Sequence, residues 1–179
     1  RHGDDVDPHA WQDVANGGRY VANIAQALAA ADPANRATYA ANAVRLQEEL
    51  AALDREARSA FAAMPAAQRK VVTSHDAFAY FGSAYGIRFI APVGVSTDAE
   101  ASAGEVAAII RQIRREKIRA IFVENITDPR LLERISRESG ARIGGTLYSD
   151  SLSPPGTAGD SYLGMMRHNI RTLAAALGG

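Results

Sequence analysis

The stretch KVVTSHDAFAYFGSAYGIRFI, residues 70–90, decides the fold class. Residues 70–74 are a short strand-like run and residues 76–85 a helix-like one. Gly86 then stands at a boundary, where glycine commonly caps a helix or makes a turn, and a second strand follows at 88–93. The same alternation continues with a helix at 103–115, a strand at 119–124, a helix at 129–139, a strand at 142–148 and a helix at 160–177. Strand, helix, strand, helix implies a parallel sheet with right-handed crossovers. The expected fold is therefore α/β: a Rossmann-like parallel four-stranded sheet with helices on both faces.

Upstream of Pro65 the pattern is wholly helical. Between Asn35 and Met64, the residues Tyr39, Ala43, Leu46, Leu50, Leu53, Ala57 and Phe61 recur at spacings of three and four, which predicts one long amphipathic helix of about 45 Å. A coiled-coil arm and a helix bridging two lobes both suit four heptads. Earlier still, Asp7-Pro8 reads as an N-cap followed by proline at the first helical position. The helix it opens is expected to be broken or delayed near Gly17-Gly18, to bury Val21, Ile24, Ala25 and Leu28, and to end at Asp32-Pro33. Residues 1–7, nearly all polar, are expected to be a mobile stretch.

Composition excludes several classes of function. The 179 residues carry 20 Lys plus Arg against 20 Asp plus Glu, with no basic stripe, so nucleic acid and anionic membranes are poor partners. Cysteine is absent, which removes disulfides, thiolate metal sites and thiol nucleophiles. Apolar stretches fall far short of the roughly 20 residues of a membrane helix, and no signal-peptide pattern opens the chain. The start at Arg1 suggests a processed protein or a piece of a longer one.

Ligand sites of open parallel sheets lie outside the carboxyl ends of the strands. His75, Glu124 and Asp150 fall there, and His9 sits in the first turn of the opening helix. Helix N-termini near His9 and His75 are expected to keep both rings neutral, the metal-binding form. Two imidazoles and a carboxylate suit Zn²⁺ or Mn²⁺. Each candidate also has a plainer role: His75 as a hydrogen-bonded structural residue, Asp150 as a turn cap, Glu124 as a surface partner of Arg130. His168, off the apolar stripe of the last helix, is expected to be solvated. His2 could sample a metal transiently. Neither a nucleophile elbow, a P-loop nor a zincin motif occurs, so the pattern argues for a ligand site more than for an enzyme.

Five ordered motifs add a specific resemblance: Asp7-Pro8-His9-Ala10-Trp11; Thr73-Ser74-His75-Asp76-Ala77-Phe78 with Tyr80-Phe81; Phe122-Val123-Glu124; Leu147-Tyr148-Ser149-Asp150-Ser151; and Tyr162-Leu163 with Met165-Met166-Arg167-His168-Asn169. Across almost the whole chain they resemble the zinc- and manganese-specific solute-binding proteins of bacterial ABC importers. The resemblance implies two α/β lobes joined by a long rigid helix, with the metal clamped between them. Residues 1–34 would then be the end of a loop and the last part of an N-terminal lobe, 35–64 the connector, and 65–179 the C-terminal lobe, with most of the N-terminal lobe missing. It implies His9, His75 and Asp150 as metal ligands, a first His without counterpart here, and Glu124 as a residue supporting the ligands by hydrogen bonding. A His at position 75, where the family also uses Glu, favours zinc over manganese. The implied role is non-enzymatic zinc binding in the periplasm, or at the cell surface if lipid-anchored. A monomer would deliver the metal to an ABC permease, with a periplasmic zinc metallochaperone as a further candidate partner. A manganese importer component and a surface adhesin with a structural zinc are the alternatives.

Overall fold

The computed structural model describes residues 6–95 and 101–178; His2 and most of the expected mobile stretch lie outside them. Four parallel strands, β1 (Lys70–Val72), β2 (Arg88–Ile90), β3 (Ala120–Glu124) and β4 (Arg142–Leu147), form one sheet in the order β2-β1-β3-β4. Val71 pairs with Phe89 on one side and Ala120 on the other. Phe122 pairs with Gly145 just after a register irregularity between β3 and β4.

Alternate residues of the inner strands β1 and β3 feed two separate cores, as the period of two requires. Val71, Ala120, Phe122 and Leu147 pack with α2 (Arg36–Ala62), α3 (Ala79–Tyr85) and α6 (Tyr162–Gly178). Val72 and Ile121 pack on the opposite face with α4 (Ala103–Glu116) and α5 (Arg130–Ser139), through Val106, Ile110, Ile113, Leu132 and Ile135. Helices on both faces of a parallel sheet are the expected architecture. Ser102 and Glu105 close a reciprocal capping box at the start of α4.

The long helix is present as α2, 27 residues or about 40 Å. Its buried residues Leu50, Leu53, Ala57 and Phe61 all lie in its C-terminal half, against the sheet core. Its N-terminal half lies beside α1 (Val14–Ala31), which leaves Tyr20, Ile24 and Leu28 exposed.

The opening differs from expectation. Asp7 is not a helix cap; residues Ala10–Gln12 make one 3-10 turn, and α1 starts at Val14 with the Asp13 side chain accepting from the Ala15 amide. Nor do Gly17-Gly18 break α1. Gly17 lies so close to Tyr162 that a Cβ there would meet the ring hydroxyl at 2.8 Å, so this glycine serves helix packing rather than helix ending.

Candidate metal centre

The carboxyl ends of β1, β3 and β4 converge with the 3-10 turn at residue 10 to build the site. After β1, Thr73 Oγ1 donates to the His75 carbonyl at 3.1 Å, and His75 forms an isolated parallel bridge with Val93. After β4, Asn169 of α6 grips Tyr148 at both ends of its peptide, its Oδ1 accepting from the Tyr148 amide at 2.9 Å and its Nδ2 donating to the Tyr148 carbonyl at 2.7 Å. The next carbonyl, of Ser149, accepts from Trp11 Nε1 and from Gln12 Nε2, both at 3.1 Å. Tyr162 donates to the Trp11 carbonyl at 2.7 Å. The turn that carries His9 is thereby fastened to the turn that carries Asp150.

His9 Nε2 lies 3.2 Å from Asp150 Oδ1, and His75 Nε2 lies 3.1 Å from Asp150 Oδ2. One donor atom from each of the three residues lies within 4.8 Å of the others. Both imidazoles are buried, 2 % and 1 % exposed, while Asp150 opens the site to solvent. Bonds of about 2.0–2.2 Å to one tetrahedral ion place neighbouring donors about 3.3–3.6 Å apart, so small shifts of the Asp150 carboxylate from 3.2 and 3.1 Å would accommodate a cation. The buried Nε2 and Nδ1 of His75 both lack a well-directed hydrogen-bond partner, and the Asp150 and Glu124 carboxylates face them at ion-pair range.

Each ring is backed by a second carboxylate at its other nitrogen. Asp7 Oδ1 contacts His9 Nδ1 at 2.7 Å, and Glu124 Oε2 contacts His75 Nδ1 at 2.5 Å. Burial on its own pulls both imidazoles down, but Asp150 with Asp7 at His9, and Asp150 with Glu124 at His75, outweigh it. Both stand above the ordinary 6.5, His75 at about 9. Burial works against ionising Asp150 as well, yet His75 and His9 hold it well below the usual carboxylate range. Carboxylates, not helix N-termini, therefore dominate the electrostatics of the rings and favour their charged form when no ion is bound.

Of the sequence candidates, His9, His75 and Asp150 come together directly. Glu124 joins them from behind, 1 % exposed, and is no surface partner of Arg130, which instead engages Asp128. His168 is half-buried rather than solvated: its Nε2 lies 2.9 Å from the Thr146 carbonyl and its ring meets Tyr148 edge-on. Sequence reasoning assigned no role to Asn169, Gln12 or Asn125. For Asn169 a signal existed, an amide inside the stripe Met165, Met166, Ile170 and Leu173; for the other two there was none.

Two buried imidazoles and a carboxylate outside the carboxyl ends of a parallel sheet are a donor set that could hold a metal cation. The family model described as zinc-uptake complex component A, periplasmic, matches residues 1–176. A manganese ABC transporter substrate-binding lipoprotein of Streptococcus pneumoniae is 36 % identical over 171 residues, 96 % of this chain and 55 % of its own length. An iron ABC transporter substrate-binding lipoprotein of Streptococcus pyogenes shows the same identity and coverage. Among solved structures, a periplasmic zinc-binding protein from Treponema pallidum superposes with a TM-score of 0.94 at 34 % identity, covering 99 % of this chain and 66 % of that one. A Mn-bound periplasmic metal-binding protein from Candidatus Liberibacter asiaticus gives 0.87 at 28 %, covering 99 % and 66 %. The chain belongs to the family of metal-binding substrate-binding proteins of ABC transporters, which are binding components and not enzymes. It spans about half the length of the curated relatives it matches. Among the described residues no helix is long and apolar enough to cross a membrane.

Proposed function

We propose that this chain captures a divalent transition-metal ion, zinc by preference, through His9, His75 and Asp150, and hands it to an ABC permease from the periplasm or the cell surface. The convergence of these three donors within 4.8 Å carries the reading. In the same proposal α2 is the connector, residues 65–179 form one lobe, and residues 1–34 belong to the other. Imidazole-rich donors favour zinc over the more oxygen-seeking manganese. Relatives named for manganese and iron make manganese the second reading.

The negative surroundings suit a cation that arrives hydrated and leaves intact. Asp150, partly exposed, is the donor an incoming ion meets, and the two buried rings follow. Competitive titration with zinc and manganese tests this proposal. Zinc should bind more tightly than manganese, and His75→Ala or Asp150→Ala should each weaken binding strongly. Full metal retention by both variants overturns the site; tighter manganese binding overturns the choice of ion.

A further inference from the structure

We infer that Glu124 and Asn125, consecutive residues at the end of the central strand β3, are positioning residues that hold the two ligand-bearing turns on either side of them in register for one ion. The inference rests on the proposed ligand set. Strand order supplies the geometry, because β3 lies between β1, which leads to His75, and β4, which leads to Asp150.

Glu124 acts towards β1. Its Oε1 accepts from the Ser74 and His75 amides at 2.8 and 2.9 Å, fixing the backbone that carries the ligand. Its Oε2 faces His75 Nδ1 at 2.5 Å. A neutral imidazole that gives its Nε2 lone pair to a metal must carry its proton on Nδ1. No well-directed hydrogen bond joins the pair without an ion, yet Glu124 Oε2 is the carboxylate atom facing Nδ1 and so the acceptor that a proton there would find, which favours the tautomer that presents Nε2 to the ion. Asn125 acts towards β4. Its Oδ1 accepts from the Ser149 amide at 3.3 Å, and its Nδ2 donates to Ser151 Oγ at 2.8 Å and to the Ser151 carbonyl at 3.2 Å. It thus brackets Asp150 from both neighbours while touching none of its side chain.

Glu124→Gln keeps the shape and removes the charge. In one amide orientation an N–H donor opposes the Nδ1–H of metal-bound His75; in the other, two donors oppose the Ser74 and His75 amides. Zinc affinity should fall about 10- to 100-fold, the usual effect of removing a carboxylate that orients a metal-bound imidazole. Asn125→Ala, at an exposed position where folding is not at stake, should weaken zinc binding in the same sense. The discriminating measurement is a pair of double-mutant cycles by zinc titration. Glu124→Gln should add little in a His75→Ala background, and Asn125→Ala little in an Asp150→Ala background. Nitrogen-15 spectra of the zinc-loaded chain should show His75 protonated on Nδ1 in the wild type.

Unchanged zinc affinity in both single variants overturns the inference. So do penalties that persist fully without the ligand, which would make the pair merely structural, and a His75 that binds zinc through Nδ1. If the unaltered chain binds neither zinc nor manganese, the ligand set itself fails, an outcome distinct from wild-type binding that these variants leave untouched.

Discussion

An ion entering this site must displace protons, and the size of that competition follows from the carboxylates around His75. With its metal-free midpoint at about 9, the ring is roughly 99 % imidazolium at pH 7. Freeing Nε2 there costs about 3 kcal/mol, on the order of a hundredfold in apparent affinity relative to a neutral ring. His9, also raised, adds in the same direction. Apparent zinc affinity should therefore climb at least about tenfold per pH unit between 6 and 8 and flatten above about 9, where His75 is already neutral. Chelator-competition titrations at fixed ionic strength give the slope. Calorimetry in two buffers of different ionisation enthalpy counts the protons, with close to one or more expected per ion at pH 7. Asp150 stays ionised over this range and contributes no slope. A flat profile, or release of much less than one proton, would refute the claim that the carboxylates keep His75 charged.

Without metal the same groups predict the opposite trend for stability. The raised His75 stabilises the fold fully below 6.5 and loses that contribution as pH rises towards about 9, while the lowered Asp150 stabilises above its ordinary value and loses out as acid protonates it. The metal-free melting temperature should accordingly decline between pH 6.5 and 9.5, and a rise would contradict the assignment. Asn169→Ala leaves the Tyr148 amide without its buried partner and should cost about 2–3 kcal/mol, read as a fall of about 5–10 °C in Tm. The neighbouring glycines of α1 should respond with opposite signs. Gly18→Ala meets no atom within 4 Å and should stabilise by about 0.5–1 kcal/mol, whereas Gly17→Ala drives a methyl into Tyr162 and should destabilise in chemical denaturation.

The sheet was legible because its inner strands β1 and β3 are largely buried and its strands are separated by helical segments. Three of the four strand starts fall where the sequence pattern puts them, but β1 and β2 stop two or three residues sooner than expected. Thr73 and Ser74 read as strand by residue type, yet the Ser74 amide turns to the Glu124 carboxylate, a long-range partner that no local pattern reveals. The convergence of the candidate donors was legible for a topological reason, since strand ends are where a parallel sheet gathers its chemistry. Their charge was not, because helix-end arguments use local sequence while Asp7, Glu124 and Asp150 act across space. The opening helix was misread for a related cause: Asp7 is a good cap by composition, but its carboxylate is engaged by the His9 amide and ring, and Asp13 caps α1 instead.

The fastening of Trp11 and Gln12 to the Ser149 carbonyl bears on what capture demands of the chain. His9 belongs to a segment with little regular structure of its own, so its order is borrowed from the turn that holds Asp150. That freedom is surrendered when the protein folds, before any ion arrives. The incoming metal then pays little to order its ligands, and its grip depends on two indole and amide hydrogen bonds that never touch it.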